Sequence, residues 1–87
     1  MAAYELRVRS SVAKDLRGIP KADLRRILVR MEALREDPRP PGCEKLSGTD
    51  EWYRVRQGVY RIVYSVDDRA VIVEVVRVGH RGAVYRG

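Results

Sequence analysis

The sequence predicts an α+β fold, two N-terminal helices packed on one face of a mostly antiparallel sheet in the order β-α-α-β-β-β. Three observations lead there. Leu24, Ile27, Leu28, Met31 and Leu34 make one apolar stripe at helical spacing. Trp52-Tyr53-Arg54-Val55-Arg56 alternates, Tyr53 and Val55 on one side and Trp52, Arg54 and Arg56 on the other. Past it, Val59 to Val66 and Val71 to Val78 are further β-rich runs, bounded by turn signals at Gln57-Gly58 and Asp67-Asp68-Arg69-Ala70.

In chain order, Tyr4, Leu6 and Val8 alternate with Glu5, Arg7 and Arg9, which predicts a short first strand. Ser10 or Ser11 can cap a first helix whose Val12, Leu16 and Ile19 share a face. Gly18 and Pro20 punctuate that helix, and Pro20 suits the first turn of the next. The second helix carries the apolar stripe, with Arg25, Arg26, Arg30 and Glu32 on its polar side. Asp37-Pro38-Arg39-Pro40-Pro41-Gly42 stops it and forms a stiff connector. Cys43 reads as inert, and Glu44 to Gly48 as a turn-rich approach to the first hairpin strand. The last strand is apolar on both sides apart from Glu74 and Arg77, which read as structural.

Eighty-seven residues make a single domain, 1–87, and 45% hydrophobic content with clear periodicity predicts that it folds. Net charge is +6 and the pI is near 10.0, which favours polyanionic partners and salt-sensitive association, although plain solubility also fits. The single cysteine excludes an intrachain disulfide, and one cysteine with one histidine argues against a structural metal. The N-terminus lacks an apolar signal core and the apolar runs are too short to span a membrane, so a reducing cytoplasm is the expected location.

The arginines of the last third stand against the interest of stability. A hairpin closed at Gln57-Gly58 sets Arg54 across from Arg61 and Arg56 across from Val59, so three guanidiniums share a face. Like charges facing each other destabilise a sheet, and an anion to be held would explain them. Gly79-His80-Arg81 ends the last strand, and Tyr85 follows in the tail. The expected exposed face thus presents Trp52, Arg54, Arg56 and Arg61, with His80, Arg81 and Tyr85 at its end. Arginine forks match phosphate oxygens, and Trp52 and Tyr85 could stack on unpaired bases, which suits single-stranded RNA. Cleavage by the neighbouring 2′-hydroxyl needs a base, positive charge for the phosphorane and an acid for the leaving oxygen. Arginine supplies only charge. His80 and Tyr85 are the proton-transfer candidates. The plain alternatives are a solvated strand face for Arg54 and Arg56 and a structural or surface role for His80.

The run Tyr53-Arg54-Val55-Arg56-Gln57-Gly58-Val59-Tyr60-Arg61-Ile62-Val63-Tyr64, followed by Val78-Gly79-His80-Arg81 and Val84-Tyr85-Arg86, resembles the RelE/ParE superfamily of toxins, nearest its RelE side. The first strand and Ala13-Lys14-Asp15-Leu16 share the likeness, which spans nearly the whole chain. The resemblance implies a RelE-like fold and a ribosome-dependent endoribonuclease that cuts messenger RNA in the aminoacyl site without a metal or other cofactor. It also implies silencing by a cognate antitoxin, expected to present an acidic, helical C-terminal segment. The family's basic pair falls on Arg54 and Arg56, its next arginine on Arg61, its doublet on His80-Arg81 and its tyrosine on Tyr85. Family enzymes often carry lysines where Arg54 and Arg56 stand, and this chain has a shorter hairpin turn and little sequence after Tyr85. Proton transfer then rests on His80 and Tyr85. A ParE-like toxin that binds DNA gyrase without catalysis is the other function the resemblance allows.

Overall fold

The computed structural model describes residues 3–46, 48 and 51–80. Seven elements follow one another: β1 (Glu5–Val8), α1 (Val12–Leu16), α2 (Lys21–Ala33), β2 (Glu44–Lys45), β3 (Trp52–Gln57), β4 (Tyr60–Asp67) and β5 (Ile72–His80). The strands form one sheet in the order β1-β5-β4-β3-β2. All pairings are antiparallel except that of β1 with β5. The expected α+β fold is present with one strand more than the pattern predicts. That strand, β2, has two residues, too few for any alternation to register.

The helical stripe does what its spacing requires. Ile27, Met31 and Leu34 are fully buried with Val12 of α1. They pack on Tyr53 and Val55 of β3, Ile62, Tyr64 and Val66 of β4, and Val73, Val75 and Val78 of β5. Leu28, at the margin of the stripe, stays about half exposed. Ser11 occupies the cap position of α1 without a side-chain cap bond, because its backbone is already helical (φ −63°, ψ −21°) and the hydroxyl cannot fold back. Gly18, at φ 78°, ends this turn, so Ile19 reaches the core from beyond the helix. Pro20 stands just before α2 rather than in its first turn.

Two fasteners hold the connector after α2. The Tyr64 hydroxyl donates to the Pro38 carbonyl oxygen at 2.8 Å beneath the sheet, and burial pushes its pKa up. Arg39 donates from both terminal nitrogens to Asp68, at 3.3 and 2.8 Å, and from Nε to the Tyr53 hydroxyl at 3.0 Å. The Tyr4 hydroxyl donates to the same Asp68 carboxylate at 2.7 Å, which ties the start of the chain to the β4–β5 turn.

The β3–β4 hairpin corrects one expectation. Its tight turn is Gly58-Val59, not Gln57-Gly58, because Gly58 takes the positive φ (62°) needed at the first central position of a type II′ turn. Arg56 therefore faces Arg61, while Arg54 faces Val63. Each pairing moves by two, so every side chain keeps its predicted face.

A second departure lies in β5. Val63 of β4 pairs with Arg77, but the next residue, Tyr64, pairs with Val75, which leaves Val76 as an extra residue. The bulge reverses the alternation beyond it, so Val75 and Val78 both reach the helix-covered core. β1 pairs with β5 only as far as Val75. Past that point the Val78 amide donates instead to the Asp15 carboxylate of α1, at 3.0 Å.

Candidate functional site: an arginine-lined cleft

With Tyr53, Val55, Ile62 and Tyr64 committed to the core, alternation sends Arg54, Arg56 and Arg61 to the other side of the sheet. They line an open cleft of about 670 Å³ with Arg30, Gly42, Cys43, Glu44, Gln57 and Gly58. Arg30 arrives from α2, Glu44 from β2, Arg54 and Arg56 from β3, and Arg61 from β4. The expected convergence of Arg54, Arg56 and Arg61 is therefore present. Arg61 is not exposed as expected: it is 9% exposed, sunk among the strands beside the buried Val63.

Among the described residues Glu44 is the one carboxylate in the cleft wall. It stands directly across the ladder from Arg54 and accepts from Arg54 Nε at 3.0 Å. That bond, the Arg54 charge and the more distant charges of Arg61 and Arg56 hold the Glu44 carboxyl below its usual range. Glu44 is thus ionised at neutral pH and offsets part of the positive charge of the arginines that line the cleft. The surplus positive charge, in a cavity of ligand size, suits an anion with several charges.

The structure does not bring Trp52 or His80 into this cleft. Trp52 is half-buried on the arginine side of β3, but the Arg9 guanidinium lies over its ring, 6.0 Å from the centroid. Arg9 is itself held by Glu74 at 3.4 Å. His80 faces Tyr60 across the ladder and meets its ring edge-on at 5.9 Å. Tyr60 packs against the core cluster, so His80 follows the helix side of the sheet and not the face of Arg61. This overturns its expected position, and the bulge at Val76 is the reason. Strict alternation along β5 would have set His80 on the arginine side. Arg81 and Tyr85 lie outside the described residues.

Three cleft residues escape sequence reasoning. Arg30 sits among charged residues on the polar side of α2 and reads as solvated. Glu44 belongs to a strand too short to detect. Gln57 reads as a turn residue but is the last residue of β3, paired with Tyr60. Cys43, read as inert, lines the cleft wall. Among the described residues no helix is long and apolar enough to cross a membrane.

Over nearly its whole length the chain is similar to known proteins. The family of ParE toxins of type II toxin–antitoxin systems (parDE) matches residues 6–85. Toxin RelG of Mycobacterium tuberculosis is 30% identical over 89 residues, covering 95% of this chain and 97% of its own length. Among solved structures, the archaeal RelE–RelB complex from Pyrococcus horikoshii contains a chain that superposes with a TM-score of 0.82 at 33% identity, covering 92% of this chain and 97% of that one. A chain of the intact RelBE toxin–antitoxin complex of Escherichia coli gives 0.76 at 30% identity, covering 90% and 96%.

Proposed function

Because the chain belongs to the RelE/ParE superfamily of type II toxin–antitoxin toxins, we propose that it is a metal-independent endoribonuclease that cuts messenger RNA in the ribosomal aminoacyl site. The observation that carries this reading is the cleft in which Arg54, Arg56 and Arg61 converge, with Glu44 the one lining carboxylate among the described residues. In the reaction the 2′-oxygen attacks phosphorus as the bond from phosphorus to the 5′-oxygen breaks. One proton leaves the 2′-hydroxyl and one reaches the departing 5′-oxygen. Arg61 and Arg81 stabilise the phosphorane, the charge that develops only in the transition state. Arg54 and Arg56 hold the flanking backbone, with Trp52 at the border of the face. Tyr85 and His80 are the proton-transfer groups. The position of His80 beside Tyr60 shifts the weight of that role to Tyr85.

The partner in this reading is a cognate antitoxin with an acidic, helical segment that covers the cleft. The RelB–RelE complexes among the structural relatives support it. Covering the face would relieve the repulsion between Arg56 and Arg61, so the complex should melt well above the free toxin, and association should slow as salt rises. A partner that leaves melting unchanged would defeat this mode of silencing.

A second reading is inhibition of DNA gyrase by binding alone, favoured by the match to the ParE model over residues 6–85. Primer extension on cellular messages after induction separates the two. The nuclease reading requires new 5′ ends within translated messages. Intact messages with accumulating double-strand DNA breaks would replace it with the gyrase reading.

A further inference from the structure

We propose that Arg30 is a further phosphate-holding residue of the cleft, one that carries the RNA strand off the arginine face and around the edge of β3 toward α2. The inference rests on the reading of the cleft as an RNA site, and extends it to the helix side of the sheet.

Position is the first support. β2 covers the outer edge of β3 only at Tyr53 and Arg54, so beyond Arg54 no described strand closes that edge. The cleft walls there come from both sides of the sheet, Arg30 from α2 on one and Arg56 and Arg61 on the other. A cavity of about 670 Å³ has room for more than one phosphate group.

The second support is the state of the guanidinium. Arg30 Nε is buried with no hydrogen-bond partner among the described residues. Two other arginines on or just after α2 are engaged: Arg26 lies 3.6 Å from Asp23 and Arg35 lies 2.7 Å from Glu32. Arg30 has no such acid among the described residues. A half-buried guanidinium without a counter-ion is costly to keep, and an anion arriving in the cleft offsets that cost. Burial of the stem as far as Nε also confines it, so less rotamer freedom is lost when the head meets a ligand.

The third support is composition. Among the described residues the wall contains arginine, glycine, cysteine, glutamate and glutamine and no large apolar side chain. A sugar–phosphate backbone seeks forked donors and close approach to the chain, which Gly42 and Gly58 allow.

The test uses the full chain and a short single-stranded RNA, with binding read by fluorescence anisotropy at several salt concentrations. Arg30→Met keeps the stem and removes the charge. It should weaken binding about five- to tenfold and lower the slope of log affinity against log salt by about 0.7, the value for one lost contact to a single strand. Arg30→Lys keeps the charge in the same space and should restore the slope while recovering only part of the affinity. On programmed ribosomes Arg30→Met should raise KM and leave kcat at its wild-type value. Thermal melts of each variant, with Arg25→Met as an exposed control on the same helix, separate binding from folding. Should Arg30→Met unfold, Arg30→Lys alone decides, since it must bind more weakly than wild type. Wild-type affinity in the folded variants overturns the inference and leaves the nuclease reading standing. So does a loss confined to antitoxin binding, or a fall in kcat without a rise in KM. If wild type shows no salt-sensitive RNA binding and Arg30→Met leaves KM on programmed ribosomes unchanged, the inference falls, whereas the nuclease reading falls only if primer extension finds no new 5′ ends in translated messages.

Discussion

Arg39 and the cleft arginines occupy two regions of one small sheet and illustrate two uses of the same side chain. Arg39 spends its donors inside the molecule: two on Asp68, one on the Tyr53 hydroxyl, with its guanidinium 5.2 Å from the centre of the Tyr53 ring. Its surroundings hold it firmly protonated, the hydrogen bond to Asp68 above all. In the cleft, Arg30, Arg54, Arg56 and Arg61 meet one lining carboxylate among the described residues, Glu44, and two of them stand opposite each other on adjacent strands. An arginine matched by acids within its own fold is a fastener. A set that outnumbers its acids destabilises the empty fold, and its gain comes when an anion arrives.

The largest effect expected from this contrast is on rate. Arg61→Ala should lower message cleavage by about 10²–10³-fold, as loss of one donor to a developing oxyanion does. Because Arg61 is only 9% exposed, its truncation also removes packing, so rates are compared under conditions where both variants are folded. Arg81→Ala is expected to behave alike in rate. Equal cleavage by a folded Arg61→Ala variant would place that arginine with the fasteners.

Arg39→Ala should show the reverse. The loss of its ring contact and its ion pair, discounted for a side chain about two-fifths exposed, amounts to about 1–2 kcal/mol of stability. Well below its melting temperature the variant should cleave as wild type does. A denaturant titration beside a single-turnover assay checks both halves.

A smaller change is expected at Glu44. Glu44→Gln removes the carboxylate that competes with phosphate for Arg54, so RNA should bind about two- to fivefold more tightly, the scale of one exposed ion pair. Weaker binding would mean that Glu44 orients Arg54 rather than competing for it.

The finest test is acidity. Asp68 is held below its ordinary 3.8, first by its hydrogen bond from Arg39. A carboxylate depressed in the folded state contributes stability above its unfolded pKa, and that contribution disappears as pH falls through the folded value. Asp68→Asn should therefore melt below wild type at pH 7, and the gap should narrow below about pH 4. A gap independent of pH would mean that shape, not charge, holds the Arg39 end.

Side chains were legible where one simple period governs them. Alternation assigned Tyr53 and Val55 to the core and Arg54 and Arg56 to the opposite face, and it did so although the turn lies one residue further along. A shift of two in the pairing leaves each residue on its side, whereas a shift of one would have reversed them all. His80 was misplaced because the extra residue at Val76 reverses the phase of β5, and nothing in Val73-Glu74-Val75-Val76-Arg77 marks where it falls. Arg30 was illegible for another reason. Its spacing on α2 is that of any solvated residue, and its burial is produced by the connector and β3, which meet it only after folding.

The parallel pairing of β1 with β5 bears on how a cell can make such a protein. Glu5 to Val8 find their ladder only along Ile72 to Val75, so the earliest strand to be synthesised waits for almost the last. Contacts this distant in sequence form late. A nascent chain halted before Ile72 lacks the strand that joins its first residues to β4, and it should be cut readily by protease where the released chain resists. The order of translation thus delays completion of this sheet until Ile72 to Val75 have been made.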